Sequence, residues 1–167
     1  MRNQKSYGVL LDTSFLIRLL TASDPLHTNA ISYFKYFSEN NIHMYVSTIT
    51  IAEYCVDGSV LELPLRNLRI IPFNLQHATV AGKYAKVLFD AKKEGSLIIE
   101  QRNIIPNDVK IFAQAECYDD IKYFVTSDIE SAKLINKISK KEKVSFEHIG
   151  IDIPFSGRFG ILEMSDV

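Results

Sequence analysis

Only two cysteines occur in the 167-residue sequence, Cys55 and Cys117, far apart and without a CxxC pair. That spacing argues against a disulfide framework and a thiolate zinc site, and two buried free thiols are the expectation. No apolar run approaches the roughly 20 residues that span a bilayer. The N-terminal MRNQKSYGVLL has two positive charges, but its apolar run is too short for a secretory signal and no small-residue cleavage site follows. A cytoplasmic location is the expectation. An excess of basic charge is also missing, with 19 Lys and Arg against 20 Asp and Glu and a net charge of −1. No global field draws in nucleic acid, so any such binding must rest on a local patch. KKEK at 140–143 is one candidate, although it reads first as a solvated helix end. A Gly-rich phosphate loop is absent, which disfavours a nucleotide-binding fold.

What remains is the balance of a folded globular chain, 47% hydrophobic and 23% charged, long enough for one domain with a sizeable core. Residues 7–11 read as a buried strand, and Phe15, Leu16, Leu19 and Leu20 recur at helical spacing. Asp24-Pro25 reads as an N-cap with proline at the first helical position, opening a helix to about Asn40. His43–Ser47 is expected as a strand and Ile49 to about Val56 as a helix, and Leu68–Phe73 is a third short apolar run, rich in isoleucine. A long helix is expected over Leu75–Lys93, with Ala78, Ala81, Ala85, Leu88 and Phe89 inward and Gly95 as its stop. Another helix opens at Asn107 or Asp108, followed by a strand at Tyr123–Thr126, a helix at Ile129–Lys141 and a last strand over Val144–Ile151. In the Ile129 helix, Ile129, Ala132, Ile135 and Ile138 are expected inward. Strands alternating with helices imply an α/β fold with a central, mainly parallel sheet covered on both faces.

Four acids stand at the junctions of this pattern. Ligands of open parallel sheets bind outside the carboxyl ends of the strands. Asp12 and Asp128 each follow a strand, Glu53 comes soon after the second strand, and Asp108 falls in the first turn of its helix. Each has a modest alternative. Asp12 and Asp128 suit N-caps, Thr50-Ile-Ala-Glu53 suits a capping box, and Asp108 suits a helix dipole. Their convergence on one edge is harder to explain that way. Two carboxylates about 4 Å apart repel by roughly 4 kcal/mol at an effective dielectric near 20. A cluster of four therefore needs a cation or shared protons. Hard oxygen donors with few histidines select Mg²⁺ or Mn²⁺, whose chemistry suits phosphodiester hydrolysis.

The ordered motifs LLDTSFLI (10–17), STITIAEY (47–54), IIPNDVKIFAQAE (104–116) and FVTSD (124–128) resemble those of the PIN-domain ribonucleases, in particular VapC-type toxins of type II toxin–antitoxin pairs. The resemblance covers about residues 7–151. It implies a three-layer α/β/α PIN-like domain over residues 1–151, and it maps Asp12, Glu53, Asp108 and Asp128 onto the family's metal-binding and catalytic acids. Thr13 and Thr126 map onto supporting hydroxyls, and Ser14 joins Thr13 as a cap or carboxylate orienter. The implied activity is a Mg²⁺- or Mn²⁺-dependent endoribonuclease that cuts RNA with a metal-activated water, as a homodimer neutralised by a small antitoxin protein. The alternatives are a non-catalytic PIN-fold binding module and a PIN nuclease outside any toxin–antitoxin pair.

The chain departs from the family pattern in places. Residues 96–103 and the tail 152–167 read as additions, Ser131 stands where some members carry a further acid, and Lys110 stands where the family is usually apolar. The apolar tail is expected to pack on its own domain or on a second protomer. An aspartate-nucleophile phosphatase is disfavoured because Ser14 occupies the place of its second aspartate. His27, His43, His77 and His148 lie outside the acidic motifs and read as surface or core residues.

Overall fold

The computed structural model describes residues 7–98 and 104–159. Five strands form a single all-parallel sheet: β1 (Gly8–Leu11), β2 (His43–Ser47), β3 (Leu68–Ile71), β4 (Ile121–Thr126) and β5 (Glu147–Gly150), in the order β3-β2-β1-β4-β5. The chain moves outward from β1 through β2 to β3, then returns to the other side of β1 for β4 and β5. The order therefore reverses at β1, and a crevice opens between the carboxyl ends of β1 and β4, where such sheets bind ligands.

Among the described residues there are seven α-helices, α1 (Thr13–Leu20), α2 (His27–Glu39), α3 (Thr48–Tyr54), α4 (Leu75–Lys93), α5 (Ile104–Cys117), α6 (Ile129–Ile138) and α7 (Phe155–Phe159), and two short 3₁₀ helices, Val60–Glu62 and Leu65–Asn67. Strand alternation divides the core between two faces. Leu10, Tyr45, Ile71 and Phe124 pack under α4, α5 and α6, through residues such as Leu88, Phe112 and Leu134. Val9, Leu11, Val46 and Val125 pack on the opposite face against Phe15 and Leu16 of α1 and Tyr33 and Phe37 of α2. The result is the α/β/α sandwich expected from the alternation of elements.

The long helix keeps its expected bounds. Asn74 caps it, and Gly95 ends it at φ +71°. Gly95 N–H donates to Lys92 O and Ser96 N–H to Ala91 O, a Schellman stop. Its buried face differs from the expected one. His77, Ala81, Tyr84, Val87, Leu88 and Ala91 are buried, whereas Ala78 and Phe89 are exposed. Tyr84 draws the face round by filling the core beneath α5 and donating its hydroxyl to Lys143 O at 2.6 Å. A similar rotation leaves Ile129 exposed on α6, with Ser131 and Leu134 turned inward.

Two boundaries also move, and the cysteines lie elsewhere than expected. Asp24-Pro25 does not start α2; Asp24 accepts from Leu26 N–H, pairs with Arg18, and the helix begins at His27. Helix α5 starts at Ile104, so Asp108 is its fifth residue and lies beyond the first turn. Cys55 is exposed and Cys117 half-buried, so the expected burial of both thiols does not hold, although both are free. Cys55 caps the end of α3 on the surface.

The start of the tail packs on its own domain. Phe155 meets the rings of Tyr33 and Tyr36, and Tyr33 donates its hydroxyl to Ile153 O at 2.8 Å. The N-terminal charges, residues 99–103 of the read addition at 96–103, and tail residues 160–167 lie outside the described residues. No helix among the described residues is long and apolar enough to cross a membrane.

Candidate active site

The carboxyl ends of β1 and β4 bring the site together. Asp12 follows β1 directly and caps α1, and Asp128 follows β4 and caps α6. The capping reading holds for these two. Capping turns each carboxylate toward the helix amides and fixes it at the crevice. Asp12 Oδ2 accepts from Ser14 Oγ at 2.7 Å and Thr126 Oγ1 at 2.7 Å. Asp128 Oδ1 accepts from Glu130 N–H at 2.9 Å, while Asp128 N–H donates to Thr126 Oγ1, also at 2.9 Å. Thr126 is wholly buried and joins the two acids through one hydroxyl.

Glu53 arrives differently from the expected capping box. Ser47 caps α3, its Oγ accepting from Ile49 N–H, so Thr50 is not the cap and Glu53 lies near the helix's far end. Its Oε2 accepts instead from Thr13 Oγ1 at 2.5 Å, across the gap between α1 and α3. In Asp12, Glu53 and Asp128 the hydrogen bonds all fall on one oxygen of the carboxylate. The second oxygen of each is outside these bonds.

Asp108 reports most directly that the four acids share one region. Its pKa is pushed from 3.8 up to about 8, first by burial and then by the negative charges of Asp12, Asp128 and Glu53. Its Oδ2 is buried without a hydrogen-bond partner. A buried, unpaired carboxylate facing three others is costly unless it keeps a proton or meets a cation.

That orphaned oxygen, with three neighbouring carboxylates each offering a second oxygen, fits a hard divalent cation. The fit lies in donor type and charge. Among the described residues, no group of three or more His, Cys, Asp or Glu side chains already stands in metal-binding geometry.

Ser127 and Asp128 also form one wall of a cavity of about 240 Å³, whose other side is lined by His148, Gly150, Asp152 and Arg158. His148, read from the sequence as a surface or core residue, reaches this cavity from β5, with α6 between it and Asp128 in sequence. Its pKa is lowered by burial first and then by Arg158, against the opposing pull of Asp152 and Asp128. The KKEK patch lies past the end of α6, and its Lys143 stands 3.5 Å from Glu116.

Three solved structures share this architecture. The DNA-bound VapBC complex of Salmonella typhimurium matches with a TM-score of 0.54 and 15% identity, over 87% of this chain and 98% of that one. VapBC2 of Rickettsia felis, bound to a promoter DNA fragment, matches with a TM-score of 0.55 and 17% identity, over 85% and 97%. VapC20 of Mycobacterium tuberculosis, a sarcin–ricin-loop-cleaving toxin, matches with a TM-score of 0.50 and 15% identity, over 75% and 94%. The chain has the fold of a VapC-type PIN domain. Neither a protein-family model nor a curated relative matches the sequence. The shared fold includes the sheet order, which reverses at β1.

Proposed function

We propose that the chain is a metal-dependent endoribonuclease, and that it acts as a cytoplasmic toxin held in check by a small antitoxin protein. The observation that carries the nuclease reading is Asp108, whose buried, unpartnered Oδ2 and raised pKa stand among Asp12, Glu53 and Asp128. Support for the toxin reading comes from the fold shared with VapBC complexes.

Asp12, Glu53, Asp108 and Asp128 would hold Mg²⁺ or Mn²⁺. Bound there, the cation would polarise the phosphoryl oxygen and lower the pKa of a water. The protein's own groups prepare the site. Thr126 and Ser14 hold Asp12 in one orientation, and Thr126 ties Asp128 to it. Thr13 holds Glu53. Without a cation Asp108 keeps its proton near neutral pH, so cation uptake must release it. The same residues also explain why Mg²⁺ or Mn²⁺ is the expected choice, since the set is entirely oxygen. By analogy with the family, a homodimer is part of this reading.

The test is growth of cells that express the chain with and without its neighbouring open reading frame. Wild type alone should arrest growth, Asp12→Asn should not, and coexpression should restore growth. Arrest by Asp12→Asn as strong as by wild type would contradict the nuclease reading.

A further inference from the structure

The 240 Å³ cavity beside Asp128 has features that the four acids do not explain. It shares Asp128 with the four acids, so on the nuclease reading a strand of RNA crossing them would pass beside it. Its volume is below the usual range for drug-sized ligands, which suits a single flat ring system. Its lining is mixed. Ile129 and Ile153 offer apolar surface, while His148, Asp152 and Arg158 offer polar groups. A nucleobase has this character, with apolar faces and hydrogen-bonding edges.

Two atoms make the wall selective. His148 lines the cavity with its ring beside the Asp128 backbone, and its Nε2 is buried without a hydrogen bond of good geometry. Burying a polar atom unpaired is unfavourable, so a ligand that bonds to it gains over one that cannot. Arg158 donates through Nη2 to His148 O at 2.6 Å. That partner is neutral, which leaves the guanidinium charge free for a phosphate at the rim. Near four acids, a polyanion needs such an anchor.

We propose that this cavity seats one nucleobase next to the scissile phosphate, with His148 as a specificity-determining residue and Arg158 as a phosphate-positioning residue. The proposal rests on the nuclease reading above. Gly150 supplies a steric probe of the same wall. A Cβ there would come within 2.5 Å of Asp152 Oδ1 and 3.4 Å of His148 Cε1. The nearest atom is the end of a side chain that can swing, so Gly150→Ala should fold while narrowing the seat.

The experiment digests a randomised RNA pool with Mn²⁺ and sequences the product ends, for wild type, His148→Leu, His148→Gln, Gly150→Ala and Arg158→Ala, each checked by thermal melting. Wild type should prefer one base at a position flanking the cut. His148→Leu should weaken that preference roughly five- to tenfold, the order of one lost hydrogen bond. His148→Gln should keep part of it. Gly150→Ala should shift the preference toward smaller bases, and Arg158→Ala should raise KM for all sequences alike. If wild type cleaves and the folded His148→Leu and Gly150→Ala variants give the same end profile, the base seat is wrong and the nuclease reading stands. Should His148→Leu fail to fold, Gly150→Ala alone decides. If wild type leaves the pool intact with both Mg²⁺ and Mn²⁺, the nuclease reading fails and the seat falls with it.

Discussion

Replacing Asp108 with asparagine should stabilise the protein in EDTA and remove its response to metal. The side chain's pKa stands at about 8 against an ordinary 3.8. Below about pH 4 the carboxyl is protonated in both the folded and the unfolded chain, and the shift costs nothing. Between about pH 4 and 8 the unfolded chain gives up a proton that the folded chain keeps. Stability of the metal-free protein therefore falls as pH rises through that window and levels off above it. Each unit is worth about 1.4 kcal/mol, so the penalty at pH 7 reaches about 4 kcal/mol, and relaxation with water entry brings it to roughly 2–4 kcal/mol. An amide carries no charge and escapes the penalty, and its N–H₂ can donate to the neighbouring carboxylates. At about 2–4 °C per kcal/mol for a chain of this size, Asp108→Asn should melt roughly 5–15 °C above wild type at pH 7.5 in EDTA. The gap should shrink as pH is lowered to 5. Added Mn²⁺ should raise the wild-type melting temperature and leave the variant nearly unchanged. Scanning fluorimetry across this pH range reads both effects. Wild-type and variant melting curves that run parallel from pH 5 to 8 would refute the charge clustering on which the site is built.

Thr126→Val should cost about 2–3 kcal/mol in urea denaturation, because it leaves Asp128 N–H and Asp12 Oδ2 each without the buried hydroxyl they share. Gly95→Ala should cost about 1 kcal/mol by the same assay; nothing lies within 4 Å of the new Cβ, so the cost comes from φ +71° alone. Tyr33→Phe should lose about 1 kcal/mol with its bond to Ile153 O, and an unchanged midpoint would mean that this bond does not hold the chain ahead of α7 in place.

Much of the fold could be read from the chain because its signals are local. The buried run Gly8–Leu11 and the Gly95 stop each act within a few residues, and those elements fall where expected. The inward faces of α4 and α6 were legible only in part: Ala81, Leu88, Ile135 and Ile138 are buried as expected, but Tyr84 and Leu134 are placed by partners far off in sequence. Two acids were legible in position and partly misread in role. Glu53 suits a capping box by spacing, but Ser47 one turn earlier captures the cap and frees Glu53 for Thr13. Asp108 suits a helix start by composition, but Pro106 tolerates a helix that already began at Ile104. His148 gave no signal at all. Only the pairing of β5 with β4, which sets Gly150 opposite Thr126, brings it beside Asp128.

The central claim is that Asp12, Glu53, Asp108 and Asp128 form one cation-dependent centre for RNA hydrolysis. Mass spectrometry of a short RNA after cleavage tests it most directly, with Mn²⁺, with EDTA, and with Asp128→Asn. Histidine-based ribonucleases consume the RNA's own 2′-OH, whereas attack by water does not. The expected result is 5′-phosphate and 3′-hydroxyl ends that form with Mn²⁺ only and vanish in Asp128→Asn. Ends bearing 2′,3′-cyclic phosphate, produced equally well in EDTA, would contradict it.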